Sequence, residues 1–133
     1  MTNGDTKHPR PELKIDGNRF STLEGFFDEV GEVLFGGRPW ERSLEAFGAA
    51  LDEMLSEYGP MSVVWLNSEK SRVDLGYPET LRQIVERLKY AHPDSRQAIL
   101  FELEKARNRE GDTVFTWLVD TFGRREGLKL ELV

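Results

Sequence analysis

Nucleophilic and metal-assisted chemistry draws on cysteine, histidine and clustered carboxylates, and this 133-residue chain is poor in the first two. It has no cysteine, which excludes a thiol nucleophile, a disulfide scaffold and a cysteine zinc site. Of its two histidines, His8 lies in a polar N-terminal stretch and His92 precedes Pro93 at the end of a helical pattern. The spacing around neither suggests a metal site, and His92 reads as a helix-terminal or capping residue. No glycine-rich phosphate loop, dinucleotide fingerprint or serine elbow occurs. Carboxylate pairs remain: Asp28 with Glu32, and Glu41 with Glu45, each one helical turn apart. Such pairs serve acid–base chemistry in a pocket. On an exposed helix they repel by about 0.2–0.5 kcal/mol, a cost that fits solubility or binding equally well. The chain is therefore expected not to be an enzyme, with no metal and no cofactor.

The carboxylates are unevenly placed. The chain holds 24 acidic and 18 basic side chains, for a net charge of −6. Residues 21–61 alone hold nine acidic and two basic groups, so the whole acidic excess lies in that segment. Two readings fit it: a solvated helical face, or a negative surface that meets a positive partner. The acidic balance argues against direct nucleic-acid binding by phosphate neutralisation. The basic residues Lys70, Arg72, Arg82, Arg87, Lys89 and Arg96 alternate with acids, as in a salt-bridging surface. No apolar run approaches the length of a membrane span, and the first residues have no apolar core of a signal peptide. A cytoplasmic location without membrane contact is expected.

The elements that must position these groups are signalled by periodicity. Residues 1–12, with Pro9 and Pro11, read as a mobile tail, and 13–133 as one domain. Leu13 to Asp16 reads as a strand. Ser21, with Glu24 in a capping box, opens a helix whose stripe is Leu23, Phe26, Phe27, Val30, Val33 and Leu34. Gly36-Gly37 ends it. A second helix is expected from near Glu41, with the stripe Trp40, Leu44, Phe47, Leu51, Met54 or Leu55, then Tyr58. Ser62 to Leu66 is a β-branched run that reads as a strand buried on both faces. Ser68 is a candidate cap for a short helical turn. Helices follow with the stripe Leu81 to Leu88, Pro78 suiting the first helical position, and over Ala98 to Ala106, capped at Asp94 or Ser95. Val114 to Phe122 reads as a last helix after Thr113, with a strand as the alternative. Leu128 to Leu132 alternates as the last strand. Strands separated by helical blocks imply an α/β fold: a small three-stranded parallel sheet flanked by helices, with right-handed crossovers. Trp40 stands at a loop–helix junction among acidic residues, a frequent place for an interface anchor.

Several of these runs, in order, resemble the barstar-like family of ribonuclease inhibitors. They are Lys14-Ile15-Asp16-Gly17 before the first helix, SLEAFGAAL (Ser43 to Leu51) and SVVWLNSEKSR (Ser62 to Arg72). LGYPETLRQIVERL (Leu75 to Leu88), the turn His92-Pro93 and GDTVFTWLVDTF (Gly111 to Phe122) are similar to a longer bacterial branch, with an inserted helical pair at about 77–110. The inserted pair is expected to enlarge the core, with a second binding surface as the alternative. The resemblance implies a barstar-like fold and an inhibitor or immunity protein, as in a toxin–antitoxin pair. Such a protein plugs the active site of a basic ribonuclease with acidic side chains on the second helix and the loop before it. The family pattern there resembles N-L-D-A-[LF]-x-D. Ser43 stands at the Asn position, Leu44 at Leu, Glu45 at the first Asp, Ala46 and Phe47 follow, and Ala49 replaces the second Asp. Asp120 matches a further acidic contact.

The partner-binding residues implied are Arg38, Trp40, Glu41, Ser43 and Glu45, with Asp52 and Asp120 beside them. The expected partner is a basic nuclease, and the free protein is expected to be a monomer. The alternative is a non-inhibitory interaction or regulatory domain of the same fold that binds some other protein or itself.

Overall fold

The computed structural model describes residues 12–133. The expected tail and His8 lie almost wholly outside them, and Glu12 already belongs to the first strand. Three parallel strands, β1 (Glu12–Asp16), β2 (Met61–Leu66) and β3 (Leu128–Leu132), form one sheet in the order β1-β2-β3. Between β1 and β2 run helices α1 (Leu23–Val33) and α2 (Leu44–Tyr58). Between β2 and β3 run α3 (Ser68–Asp74), α4 (Tyr77–Lys89), α5 (Arg96–Arg107) and α6 (Val114–Gly123). The α/β class and the three-stranded parallel sheet flanked by helices are as the periodicity implies.

The central strand explains the core. Register places Ile15 and Leu132 beside Trp65, and Leu13 and Leu130 beside Val63, all on one face. Met61, Val63 and Trp65 are fully buried there. The aromatic rings of Phe26, Phe47, Phe122 and Trp65 meet beneath that face, with Phe26 and Trp65 centroids 5.2 Å apart and Phe47 and Phe122 5.3 Å apart. Aromatic pairs in edge-to-face or tilted contact stabilise beyond their buried area. The one polar atom of Trp65 is satisfied: its Nε1–H donates to Ser71 Oγ at 3.0 Å, on α3.

Several boundaries differ from the expected ones. Thr22, not Ser21, caps α1, accepting from the Gly25 N–H at 3.0 Å. The expected capping box fails because the Glu24 side chain turns to Arg82 and Gln83 on α4. The second helix begins at Leu44, three residues after Glu41, because Ser43 Oγ accepts from the Ala46 N–H and fixes the cap there. Tyr58, expected on its apolar stripe, is 59% exposed. Asn67, in left-handed backbone, precedes α3, so Ser68 is its first residue and not its cap. The segment from Val114 is a helix, closed by a reciprocal Thr113–Thr116 capping box. His92 caps a single turn, its Nδ1 accepting from the Asp94 N–H at 3.1 Å.

The hairpin of α4 and α5 sits where the inserted pair was expected, but it adds little to the core. In α5 only Ala106 is buried, and Phe101 is 69% exposed. Its mixed charges pair as read, with Arg87 on Glu102 and Lys89 on Glu86.

Candidate functional site

The site is built where α1 ends and α2 begins. Gly36 and Gly37, at φ 65° and 77°, turn the chain sharply after α1. The following loop lays Trp40 back across the end of α1. Its ring is 4.9 Å from Phe35 and 5.5 Å from Phe27, both edge-to-face, and it also contacts Phe47. Gly31 makes this possible, because a Cβ there would stand 3.0 Å from Trp40 Nε1. A glycine inside a helix costs stability, and a close approach of this kind is the usual compensation. Trp40 is therefore a half-buried aromatic seated against three other rings.

The charged residues surround it. Arg38 is exposed and its Nε–H donates to the Phe35 carbonyl at 3.2 Å. Arg42 pairs with Asp28 at 3.0 Å. Glu41 and Glu45 are exposed, and neither pairs with a cation among the described residues. Glu45 stands in the first turn of α2, where the helix dipole favours an anion. Ser43 is the helix cap, so its hydroxyl is committed to the backbone. Between α1 and this loop lies a cleft of about 370 Å³, walled by Phe27, Gly31, Glu32, Pro39, Trp40 and Arg42. A second depression of about 410 Å³ adjoins it through Phe27 and Arg42 and reaches Tyr90, just past the end of α4, and Trp117 on α6.

The structure thus brings together Arg38, Trp40, Glu41, Ser43 and Glu45. It sets Asp52 and Asp120 apart. Asp52, two turns further along α2, pairs with Arg125 at 3.1 Å. Asp120 is exposed on α6, next to Thr121, whose carbonyl accepts from Arg125 Nη1 at 2.7 Å. The Arg125 guanidinium lies directly over Gly48, where any Cβ would collide with it. Arg125 therefore covers the middle of α2, the stretch that also carries Ala49.

No family model, curated protein or solved structure matches this chain. Function must be argued from the surface itself.

Arg125 is the residue that pattern reading missed. The only signal for it was Gly48, a glycine inside a helical stripe four residues before an aspartate. Among the described residues no three His, Cys, Asp or Glu side chains gather as a metal site, and no helix is long and apolar enough to cross a membrane. What the arrangement offers is recognition: an aromatic platform, a shallow cleft and a rim with carboxylates on the α2 side.

Four of the nine acidic residues in the 21–61 segment have cations in the fold: Glu24 with Arg82, Asp28 with Arg42, Glu29 with Arg19 and Asp52 with Arg125. Glu79, on α4, joins the first of these pairs. It accepts from Arg82 and from the Leu23 N–H at 2.9 Å, tying α4 to the start of α1. Burial pushes the Glu79 carboxyl up, but the bonds from Arg82, Leu23 and Gln83 outweigh it and hold it below the ordinary carboxylate value. Glu24 is likewise pushed up by burial and drawn below its usual value by Gln83 and Arg82.

Proposed function

We propose that this protein binds a basic nuclease and blocks its active site, as a barstar-like inhibitor or immunity protein. The observation that carries the reading is the pair of exposed carboxylates, Glu41 next to Trp40 in the loop and Glu45 in the first turn of α2. A ribonuclease holds substrate phosphates with cationic side chains. Carboxylates on a preorganised helix terminus satisfy the same cations, and a negative surface speeds the encounter. Trp40 supplies the desolvated anchor that such interfaces require. Asp52 contributes less than its exposure suggests, because Arg125 already answers its charge. No cofactor or metal enters this mechanism, and no covalent step occurs.

A second reading has its own support. Ala49 and the Arg125 cover leave the middle of α2 without the carboxylate that the family pattern puts there. A non-inhibitory interaction domain would tolerate that loss. One experiment separates the two. The protein is immobilised, exposed at low salt to extract of its own cell, and eluted with salt, which screens surface charge. The eluate is assayed for RNA cleavage with increasing amounts of the free protein. Inhibition expects a cleaving activity that is titrated to zero near one equivalent. Captured protein without nuclease activity, or with activity that the free protein leaves intact, supports the second reading and overturns the first.

A further inference from the structure

Strand β3 is an outer strand of the sheet. Natural edges avoid pairing with other chains by means of shortness, charged side chains, proline or bulges, and of these β3 has its shortness and two opposite charges, which a second copy can answer. Here the edge reads Leu128-Lys129-Leu130-Glu131-Leu132, with neither proline nor bulge. Centred on Leu130, that sequence is its own charge complement.

The hydrogen bonding is also compatible. The Met61 N–H donates to the Gly127 carbonyl at 2.8 Å, and the Val133 N–H to the Trp65 carbonyl at 3.0 Å. In a strand successive residues turn their backbone groups to opposite sides. Residues 127, 129, 131 and 133 therefore face β2. Leu130 and Leu132 aim theirs at the open edge, as Leu128 does its carbonyl, while the Leu128 N–H donates to the Arg125 carbonyl at 3.3 Å.

We infer that β3 pairs antiparallel with β3 of a second copy about a twofold axis at Leu130, giving a continuous six-stranded sheet. In that register Leu130 of each copy exchanges both N–H···O bonds with its counterpart, and Leu128 lies opposite the second copy's Leu132. Lys129 then faces the second copy's Glu131, and the reverse, as non-hydrogen-bonded pairs, whose side chains approach most closely. Neither Lys129 nor Glu131 has an ion pair among the described residues, and both are exposed. The leucines of both strands fall on the core face, where Leu132 is 36% exposed in the single chain and gains cover from Leu128 of the second copy. A slip of one residue would face a leucine with a charge and put strand faces out of phase, so the register is specified. The contact is short, which places it among weak, concentration-dependent interfaces. It uses none of the residues at the start of α2 and does not depend on the proposed inhibition. It departs from the monomer expected of the free protein.

The test is sedimentation equilibrium of the full chain over about 5–500 µM, with Lys129→Glu, Glu131→Lys and the double exchange, thermal melts confirming that each folds. A reversible monomer–dimer equilibrium is expected in the wild type. Each single reversal replaces two attractive cross-strand pairs by two repulsive ones and weakens association about tenfold or more. The double exchange restores it. Amide hydrogen exchange supplies a readout of geometry: the Leu130 and Leu132 amides gain protection with concentration, while those of Lys129 and Glu131 stay protected throughout. A wild type that remains monomeric over the range overturns the proposal. So does a dimer indifferent to the single reversals, or one that leaves Leu130 and Leu132 unprotected.

Discussion

Two regions of this molecule carry the same chemical groups to opposite ends. Around the start of α1, Glu29 and Glu79 are buried carboxylates. Glu29 accepts from the Asp16 N–H at 3.0 Å and pairs with Arg19, and Glu79 accepts from the Leu23 N–H and Arg82. Around the start of α2, Glu41 and Glu45 stand exposed beside Trp40. The difference lies in what reaches them. A buried carboxylate persists because a backbone N–H and an arginine stay within hydrogen-bond range, and it fixes one element to another. An exposed one is left for solvent or for a partner. Charge counted along the chain does not make that distinction; the position of the countercharge does.

The largest effect on stability is expected at the buried end of the comparison. Glu79→Ala strands the Leu23 N–H and half of the Arg82 guanidinium, and should cost about 2–4 kcal/mol in denaturant unfolding. Glu45→Ala should stay within about 0.5 kcal/mol of wild type. If the two cost the same, the division between structural and recognition carboxylates is wrong. Trp40→Ala is intermediate. It removes half-buried packing against Phe27, Phe35 and Phe47 and should cost about 2 kcal/mol, with loss of partner binding at temperatures where the variant remains folded.

Acid should act through the two carboxylates that Arg82 holds. Glu79 and Glu24 have folded pKa values lowered from 4.5. Their stabilisation is complete above that unfolded value and is lost as pH falls through the lowered folded values. Unfolding free energy followed from pH 5 to pH 2 should therefore decline, and Glu79→Gln should make the decline shallower. An unchanged slope would remove Glu79 from the account. The smallest effect is expected at Asp52. Asp52 itself is exposed and the Arg125 guanidinium keeps its bond to the Thr121 carbonyl, so Asp52→Asn should change stability by about 0.5 kcal/mol, measured by thermal unfolding at low salt.

Much of the fold was legible in the chain. The three strands, the parallel sheet and the helices between them followed from apolar periodicity, because the core takes up those stripes almost unchanged: Phe26, Phe47, Trp65, Leu118 and Phe122 are all buried. Caps were harder. Ser21 and Thr22 both suit an N-cap, and only the pull of Arg82 and Gln83 on Glu24 decides between them. The loop residues of the site were readable as a group, since Trp40, Glu41, Ser43 and Glu45 are close in sequence. What was not readable was coupling at a distance. Arg125 reaches Asp52 and Gly48 from the far side of α6, and Glu79 reaches Leu23 from another helix. Periodicity encodes which face of an element is apolar, and it carries no record of which distant charge will settle on that face.

The central claim is that Glu41 and Glu45 form the surface that engages a basic partner. It is tested most directly by the affinity of Glu41→Lys/Glu45→Lys for the captured nuclease, measured by calorimetry alongside thermal melts of both proteins. The account predicts binding at least about a hundredfold weaker, from two reversed charges at the interface, with melting temperature nearly unchanged. An affinity equal to that of the wild type, in a variant that folds as well, would contradict it.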